Sequence, residues 1–259
     1  MHAIRTFREK LKADKLCVGV SITFTDPTVT EALGPSVDYV WIDTEHNPMS
    51  LESVTGHLIA ARACGTAALV RVPTSETAYL KRTLDAGAEG IIVPQIRSAD
   101  EVRRVVADCR YPPQGQRGFG PRRPSNYGRI GGDEYIKEMN ENIFVVIQIE
   151  HINAVNELDG ILTIPGLDSI VIGPQDLSGS MGLLGQVDHP DVVRVIETII
   201  VKTRDAGLFI GMGMGVDADY AIRWARKGVQ WVQLGCDFSY MLQEVDRLVG
   251  TVQNRLKEF

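Results

Sequence analysis

The chain has 259 residues, 44% hydrophobic and 23% charged, with a net charge of −6 at pH 7. These values fit a globular protein with a substantial core, and the length suits two small domains or one large α/β barrel. The acidic balance argues against a nucleic-acid surface, and no apolar run approaches a membrane span, so neither partner is expected.

Residues 1–15 are charged throughout and carry no signal-peptide core. Residues 3–12 read as an amphipathic helix, followed by a strand at 16–22. Asp26 is expected to cap the next helix, with Pro27 at its first position and Gly34 at its end. The second strand, D-Y-V-W-I-D, covers 38–43. Ser50 then caps a helix over 51–63, with Ser53 three on, so no capping box forms. Strand three is 67–72, and Ser75 begins a helix to Asp85. Strand four is 89–94. Ser98 and Glu101 form a capping box for a helix to Ala107.

Residues 110–132 form the longest irregular segment, with four of the twelve prolines and five arginines. A loop this long in a compact domain is usually functional or disordered. A short helix at 133–141 leads to I-F-V-V-I-Q-I-E, 143–150, an apolar run of the kind covered on both faces. A helix at 151–158 connects it to the sixth strand, 168–172. A Gly-Pro turn brings in Asp176, and a glycine-rich loop runs on to His189. A helix from Pro190 to Ala206, a strand at 208–213, a helix at 217–227, a strand at 229–235 and a helix at 238–256 complete the chain.

Eight strands each followed by a helix imply a parallel sheet, and the size is that of a single-domain (β/α)8 TIM barrel spanning 1–259. An open doubly wound sheet is the alternative, but no G-x-G-x-x-G opens the first helix. The four cysteines are scattered and include no C-x-x-C pair. Neither a zinc site nor a disulfide framework is indicated, and a cytoplasmic protein is the simplest fit.

Barrel enzymes carry their working residues at the C-terminal strand ends. Asp43, with His46 in the loop beyond it, Arg71, Gln148, Glu150 and Asp176 all fall at that end. Four of them have a plainer reading: a loop cap for Asp43, an exposed histidine for His46, a structural ion pair for Arg71 and Glu150. Glu45 and Glu52 are expected at the surface. Two carboxylates past consecutive strands, Glu150 and Asp176, suit a hard divalent cation such as Mg²⁺ or Mn²⁺. Such a cation would chelate a 2-oxo acid, polarise its keto group and stabilise the enolate formed beside it. His46 is the residue type suited to general acid/base work, with Asp43 placed to orient it, and Arg71 adds charge near the oxyanion. A lysine Schiff base is the competing route. None of the eight lysines ends a predicted strand.

W-I-D-T-E-H-N-P, V-R-V-P, Y-P-P-Q-G-Q-R-G, V-V-I-Q-I-E and I-G-P-Q-D-L-S together resemble the HpcH/HpaI aldolases, metal-dependent class II pyruvate aldolases. The resemblance implies cleavage of 4-hydroxy-2-oxo acids to pyruvate and an aldehyde. It implies Glu150 and Asp176 as ligands of Mg²⁺, Mn²⁺ or Co²⁺, His46 with Asp43 as acid/base pair, and Arg71 at the keto oxygen. Gln148 would lie in the site, and backbone amides around Gly173, Pro174, Gln175 and Asp176 would hold the pyruvate carboxylate. A hexamer with exchanged last helices is implied too. Oxaloacetate decarboxylation, macrophomate-synthase-like enolate chemistry and a non-catalytic oxo-acid-binding barrel are the alternatives. Two stretches depart from the family pattern. Arg122 and Arg123 suit an acidic aldehyde tail, a solvated loop or an interface. G-M-G-M-G at 211–215 suits phosphate or close packing.

Overall fold

The computed structural model describes residues 2–257; Met1, Glu258 and Phe259 lie outside the described residues. Eight parallel strands close into a barrel in chain order. They are β1 (Cys17–Ile22), β2 (Tyr39–Asp43), β3 (Ala67–Arg71), β4 (Gly90–Val93), β5 (Phe144–Ile149), β6 (Ser169–Ile172), β7 (Phe209–Met214) and β8 (Trp231–Cys236). β8 pairs with β1, so the two ends of the chain's sheet are sewn together. The (β/α)8 architecture expected from the alternating elements is the one formed.

The helices are α1 (His2–Lys12), α2 (Thr28–Leu33), α3 (Leu51–Cys64), α4 (Thr77–Ala86), α5 (Ala99–Cys109), α6 (Gly132–Asn142), α7 (Ile152–Asn156), α8 (Leu158–Leu162), α9 (Pro174–Ser180), α10 (Pro190–Asp205), α11 (Ala218–Ala225) and α12 (Asp237–Lys257). Ser50 caps α3 by accepting from Ser53 N, and Ser98 with Glu101 closes a full capping box on α5. Four local expectations fail. α2 ends at Gly34 as expected, but it starts at Thr28 with Pro27, not Asp26, at the cap position, although Asp26 Oδ1 still accepts from Thr28 N at 2.9 Å. α4 starts at Thr77, two residues past Ser75, without a side-chain cap. The 151–158 helix is two short helices meeting at Glu157, whose carboxylate is drawn away to accept from Ala99 N at 2.7 Å. The Gly-Pro turn is the start of α9, with Pro174 at its first position and Asp176 inside it.

The barrel interior is filled by pairing glycine with large side chains. A Cβ on Gly211 would lie 2.1 Å from the Trp231 ring, and one on Gly19 would lie 2.4 Å from Tyr39. At Gly211, then, the glycine-rich stretch 211–215, most of which lies within β7, serves close packing. Tyr39, Trp41, Leu69, Phe144, Val146 and Trp231 form one cluster in the barrel, and Ile4, Phe7 and Leu11 of α1 join it from below. Phe7 stands 5.2 Å from Tyr39, 5.5 Å from Phe144 and 6.4 Å from Trp231, centroid to centroid. α1 is therefore the floor of the barrel at the N-terminal strand ends. A second apolar layer, rich in Ile, Val and Leu, lies between the strands and the outer helices.

The 110–132 segment is pinned at that lower end by its arginines. Arg110 donates to the Ile143 and Gly166 carbonyls at 3.0 and 2.9 Å. Arg117, fully buried, pairs with Asp85 at 2.8 Å and lies over the Tyr111 ring. Arg123 donates to the Leu58 carbonyl at 3.1 Å, and Arg122 is exposed. Of the readings open for these two arginines, the acidic-tail one finds no support within the chain, because neither side chain lines the cavity at the other end.

Candidate active site

Side chains two apart on a strand share a face. On β2 this aligns Tyr39, Trp41 and Asp43; on β3, Ala67, Leu69 and Arg71; on β5, Phe144, Val146 and Gln148. Each series is apolar inside the barrel and turns polar at its C-terminal end. Above these ends lies a cavity of about 660 Å³, within the usual range for small-molecule sites. Asp43, His46, Arg71, Gln148, Gly173, Pro174, Gln175 and Asp176 all line it. Glu150 is not on the wall but directly behind it: Gln148 Nε2 donates to its Oε2, and Gln95 N donates to its Oε1 at 2.6 Å.

Asp43 and Arg71 are register partners across β2 and β3. Arg71 Nε and Nη2 each lie 2.8 Å from one Asp43 oxygen, a two-pronged pairing that fixes the guanidinium plane. The same guanidinium sits 5.2 Å over Trp41. Its third prong, Nη1, stands 3.0 Å from Glu45 Oε2. Burial pulls the Arg71 pKa down, but Asp43 and Glu45 together outweigh it and hold it above its usual value. Nε donates the hydrogen bond to Asp43, while Nη1 and Nη2 meet the carboxylates as ion pairs and keep donor capacity toward a ligand.

Glu45 is the residue that sequence reasoning missed. It was expected at the surface, yet its side chain is 11% exposed and reaches back to Arg71. Burial raises its pKa, the Arg71 charge opposes that, and the Asp43 and Asp176 carboxylates add to it. The D-x-E spacing carried the signal, but the period-two rule stops where the strand stops.

The expected His46–Asp43 contact is not among the bonds formed. Besides Arg71, Asp43 accepts from Asn47 Nδ2 at 2.8 Å and Glu45 N at 3.1 Å. The His46 ring is 63% exposed at the cavity mouth, and its Nε2 lies 3.6 Å from Glu45. Asp43 thus orients Arg71, and Glu45 is the carboxylate beside the imidazole.

Four carboxyl groups, Asp43, Glu45, Glu150 and Asp176, meet here against one guanidinium. Glu150 feels this most: burial pushes its pKa up to about 7, with Glu45 and Asp176 adding and the Gln95 amide opposing. The buried Gln148 Oε1 beside it has no hydrogen-bond partner. Such a site, rich in hard oxygen donors and short of positive charge, fits a divalent cation. Among the described residues no three His, Cys, Asp or Glu side chains form a metal cage on their own. Gly173 has a steric role: a Cβ there would lie 2.9 Å from both Gln148 Nε2 and Glu150 Oε2.

A family model described as HpcH/HpaI aldolase/citrate lyase matches residues 23–243. A 5-keto-4-deoxy-D-glucarate aldolase from Salmonella paratyphi C (strain RKS4594) is 33% identical over 247 residues, 95% of each chain. An HpcH/HpaI aldolase/citrate lyase family protein from Burkholderia cenocepacia J2315 superposes with a TM-score of 0.90 at 29% identity, covering 96% of this chain and 99% of that one. Macrophomate synthase superposes with a TM-score of 0.86 at 25% identity, covering 99% of this chain and 90% of that one.

Proposed function

Because the chain belongs to the HpcH/HpaI aldolase/citrate lyase family, we propose that it is a metal-dependent carbon–carbon lyase that cleaves 4-hydroxy-2-oxo acids reversibly to pyruvate and an aldehyde. One observation carries the reading: Arg71, Gln148 and Asp176 share a cavity wall with Glu150 immediately behind it. Glu150 and Asp176 would hold Mg²⁺, Mn²⁺ or Co²⁺, which when bound supplies Lewis-acid polarisation of the substrate's keto group. Arg71, held in plane by Asp43, turns its guanidinium N–H groups to the oxygen on which enolate charge develops. His46 takes the C4 hydroxyl proton as the C3–C4 bond breaks, and the freed electron pair becomes the pyruvate enolate, which then takes a proton at C3. The backbone amides of Gln175 and Asp176, in the first turn of α9, receive the pyruvate carboxylate.

The test is pyruvate release from a panel of 4-hydroxy-2-oxo acids, abolished by EDTA and restored by Mg²⁺, Mn²⁺ or Co²⁺. Full activity after verified metal removal refutes the cation's role. Release from no member of the panel refutes the lyase reading. A protein that binds pyruvate and metal yet exchanges no pyruvate methyl protons in D₂O would be a binding barrel instead.

The likeness to macrophomate synthase favours one second reading, in which the same enolate arises by decarboxylating oxaloacetate. Side-by-side kcat/KM for oxaloacetate and hydroxy-oxo acids separates the two. A cytoplasmic setting, as the scattered cysteines of the sequence suggest, belongs to the lyase reading. Assembly belongs to the same proposal, as a hexamer with α12 exchanged between subunits. α12 leaves Met241, Leu242, Val245, Leu248, Val249 and Val252 each about half exposed along one helix, more apolar surface than a lone helix keeps in water.

A further inference from the structure

The wall of the cavity across from Glu150 decides what the aldehyde half can be. It is built from the segment after β1, the end of β7 and the first turns of α11 and α12, with Thr23, Met214, Asp217, Tyr220 and Phe238 facing the space. In an eight-strand ring β1 lies opposite β5, so this wall meets the far end of a molecule whose oxo-acid end sits at Gln148 and Asp176.

A carboxylate arriving there would find its natural partners taken. Helix N-termini attract anions. The one on α11 is closed by Asp217, whose Oδ1 accepts from Tyr220 N at 2.9 Å. The one on α12 is closed by Asp237, which also accepts from Thr23 N at 2.8 Å and Phe24 N at 3.1 Å. Apart from the His46 imidazole, Arg71 is the one basic side chain lining the cavity among the described residues. It is paired with Asp43 and Glu45, and what it still offers a ligand serves the oxo-acid half. Asp217 meanwhile places a negative charge on the rim.

Hydroxyl groups fare differently. Thr23 Oγ1 gives its proton to Asp237, which leaves its lone pairs to accept from a ligand. Asp217 has a second oxygen beyond the one that caps α11, and Met214 and Phe238 cover carbon.

We propose that the aldehyde half is an uncharged hydroxyaldehyde, so that the preferred substrate carries a single carboxylate, at C1. This rests on the lyase reading and narrows it. It also separates the chain from the glucarate relative, since a glucarate is a dicarboxylate.

The experiment compares two six-carbon 4-hydroxy-2-oxo acids of the same C4 configuration, one ending in CH₂OH and one in a carboxylate. Both are offered to the full-length, Mn²⁺-loaded protein, with pyruvate as the readout. A like charge in a partly wet cavity costs about a factor of ten or more, so kcat/KM should favour the neutral acid by at least that at low salt. The gap should narrow as salt rises. Asp217→Asn keeps a competent helix cap while removing the charge, and should raise the diacid relative to the neutral acid several-fold. A wild-type protein that cleaves the diacid as well as or better than the neutral acid overturns the proposal. So does a preference that Asp217→Asn leaves unmoved. If neither acid yields pyruvate, the lyase reading itself fails.

Discussion

Arg71→Met separates two roles that the structure joins in one side chain. Among the described residues Arg71 is the one arginine or lysine paired with Asp43 and Glu45, whose side chains are 4% and 11% exposed. Removing one partner of a buried ion pair typically costs about 3–5 kcal/mol, because the other charge is left without compensation. For a protein of this size that is a fall in Tm of roughly 6–20 °C. The measurement belongs in metal-free protein, since a bound cation would mask the loss. Arg71→Met/Asp43→Asn removes one of the two orphaned charges and should recover about half of the lost Tm. Proton exchange at the methyl group of pyruvate, followed by NMR in D₂O with Mn²⁺ restored, should behave otherwise. Loss of one oxyanion donor costs on the order of 10²–10³ in rate. The double variant should stay at that low rate, because Asp43 without Arg71 orients nothing. A single variant whose Tm lies within about 1 °C of wild type would refute the ion-network argument. Exchange at near wild-type rate would refute the catalytic one.

The buried titrating groups predict opposite pH slopes. Glu150 has its pKa raised by burial to about 7, so between its ordinary range near 4.5 and that value the folded state holds the proton more tightly. Metal-free stability should therefore fall as pH rises through that window. Glu150→Gln should abolish the fall and also the Tm rise on adding Mn²⁺; a variant whose Tm tracks wild type across pH 4.5–8 argues against it. His57 is held below its ordinary 6.5 by burial, as a neutral ring joining Thr30 Oγ1 at 2.8 Å to the Phe24 carbonyl at 2.9 Å. Its contribution is present above that pH and lost as pH falls through the folded value, so His57→Gln should flatten the drop in urea midpoint between pH 7 and pH 5. On α12, Leu248→Asp with Val252→Asp should yield monomers by light scattering while far-UV circular dichroism is retained. An unchanged mass excludes that face as the interface.

The strands were legible because burial on both faces writes itself as apolar runs, and the alternation on β2 and β3 carried Asp43 and Arg71 to the correct end. What failed lies where periodicity stops. Glu45 follows the last residue pair of β2, and only the path of the loop turns its side chain inward. The same loop path sets His46 beside Glu45 rather than Asp43. Gly173-Pro174 reads equally as a turn or as a helix start, and the stabilising first turn around Asp176 decided for the helix. Arg123 is a charge in a long loop, and nothing local says that the Leu58 carbonyl will claim it.

The floor made by α1 has a consequence for how the protein comes into being. Ile4, Phe7 and Leu11 are at most 1% exposed, and their lid on the other side includes Trp231. During synthesis Phe7 emerges more than 200 residues before Trp231, an interval of roughly 10–50 s at ordinary elongation rates. Throughout that time the greasy side of α1 has no barrel to sit under, and β1 lacks its eighth neighbour. The nascent chain can accumulate β-α units, but the ring locks only when β8 arrives and clamps both β1 and the floor together. Birth order and closure order run in opposite directions, so α1 leaves the ribosome long before β8 yet finds its place only with it.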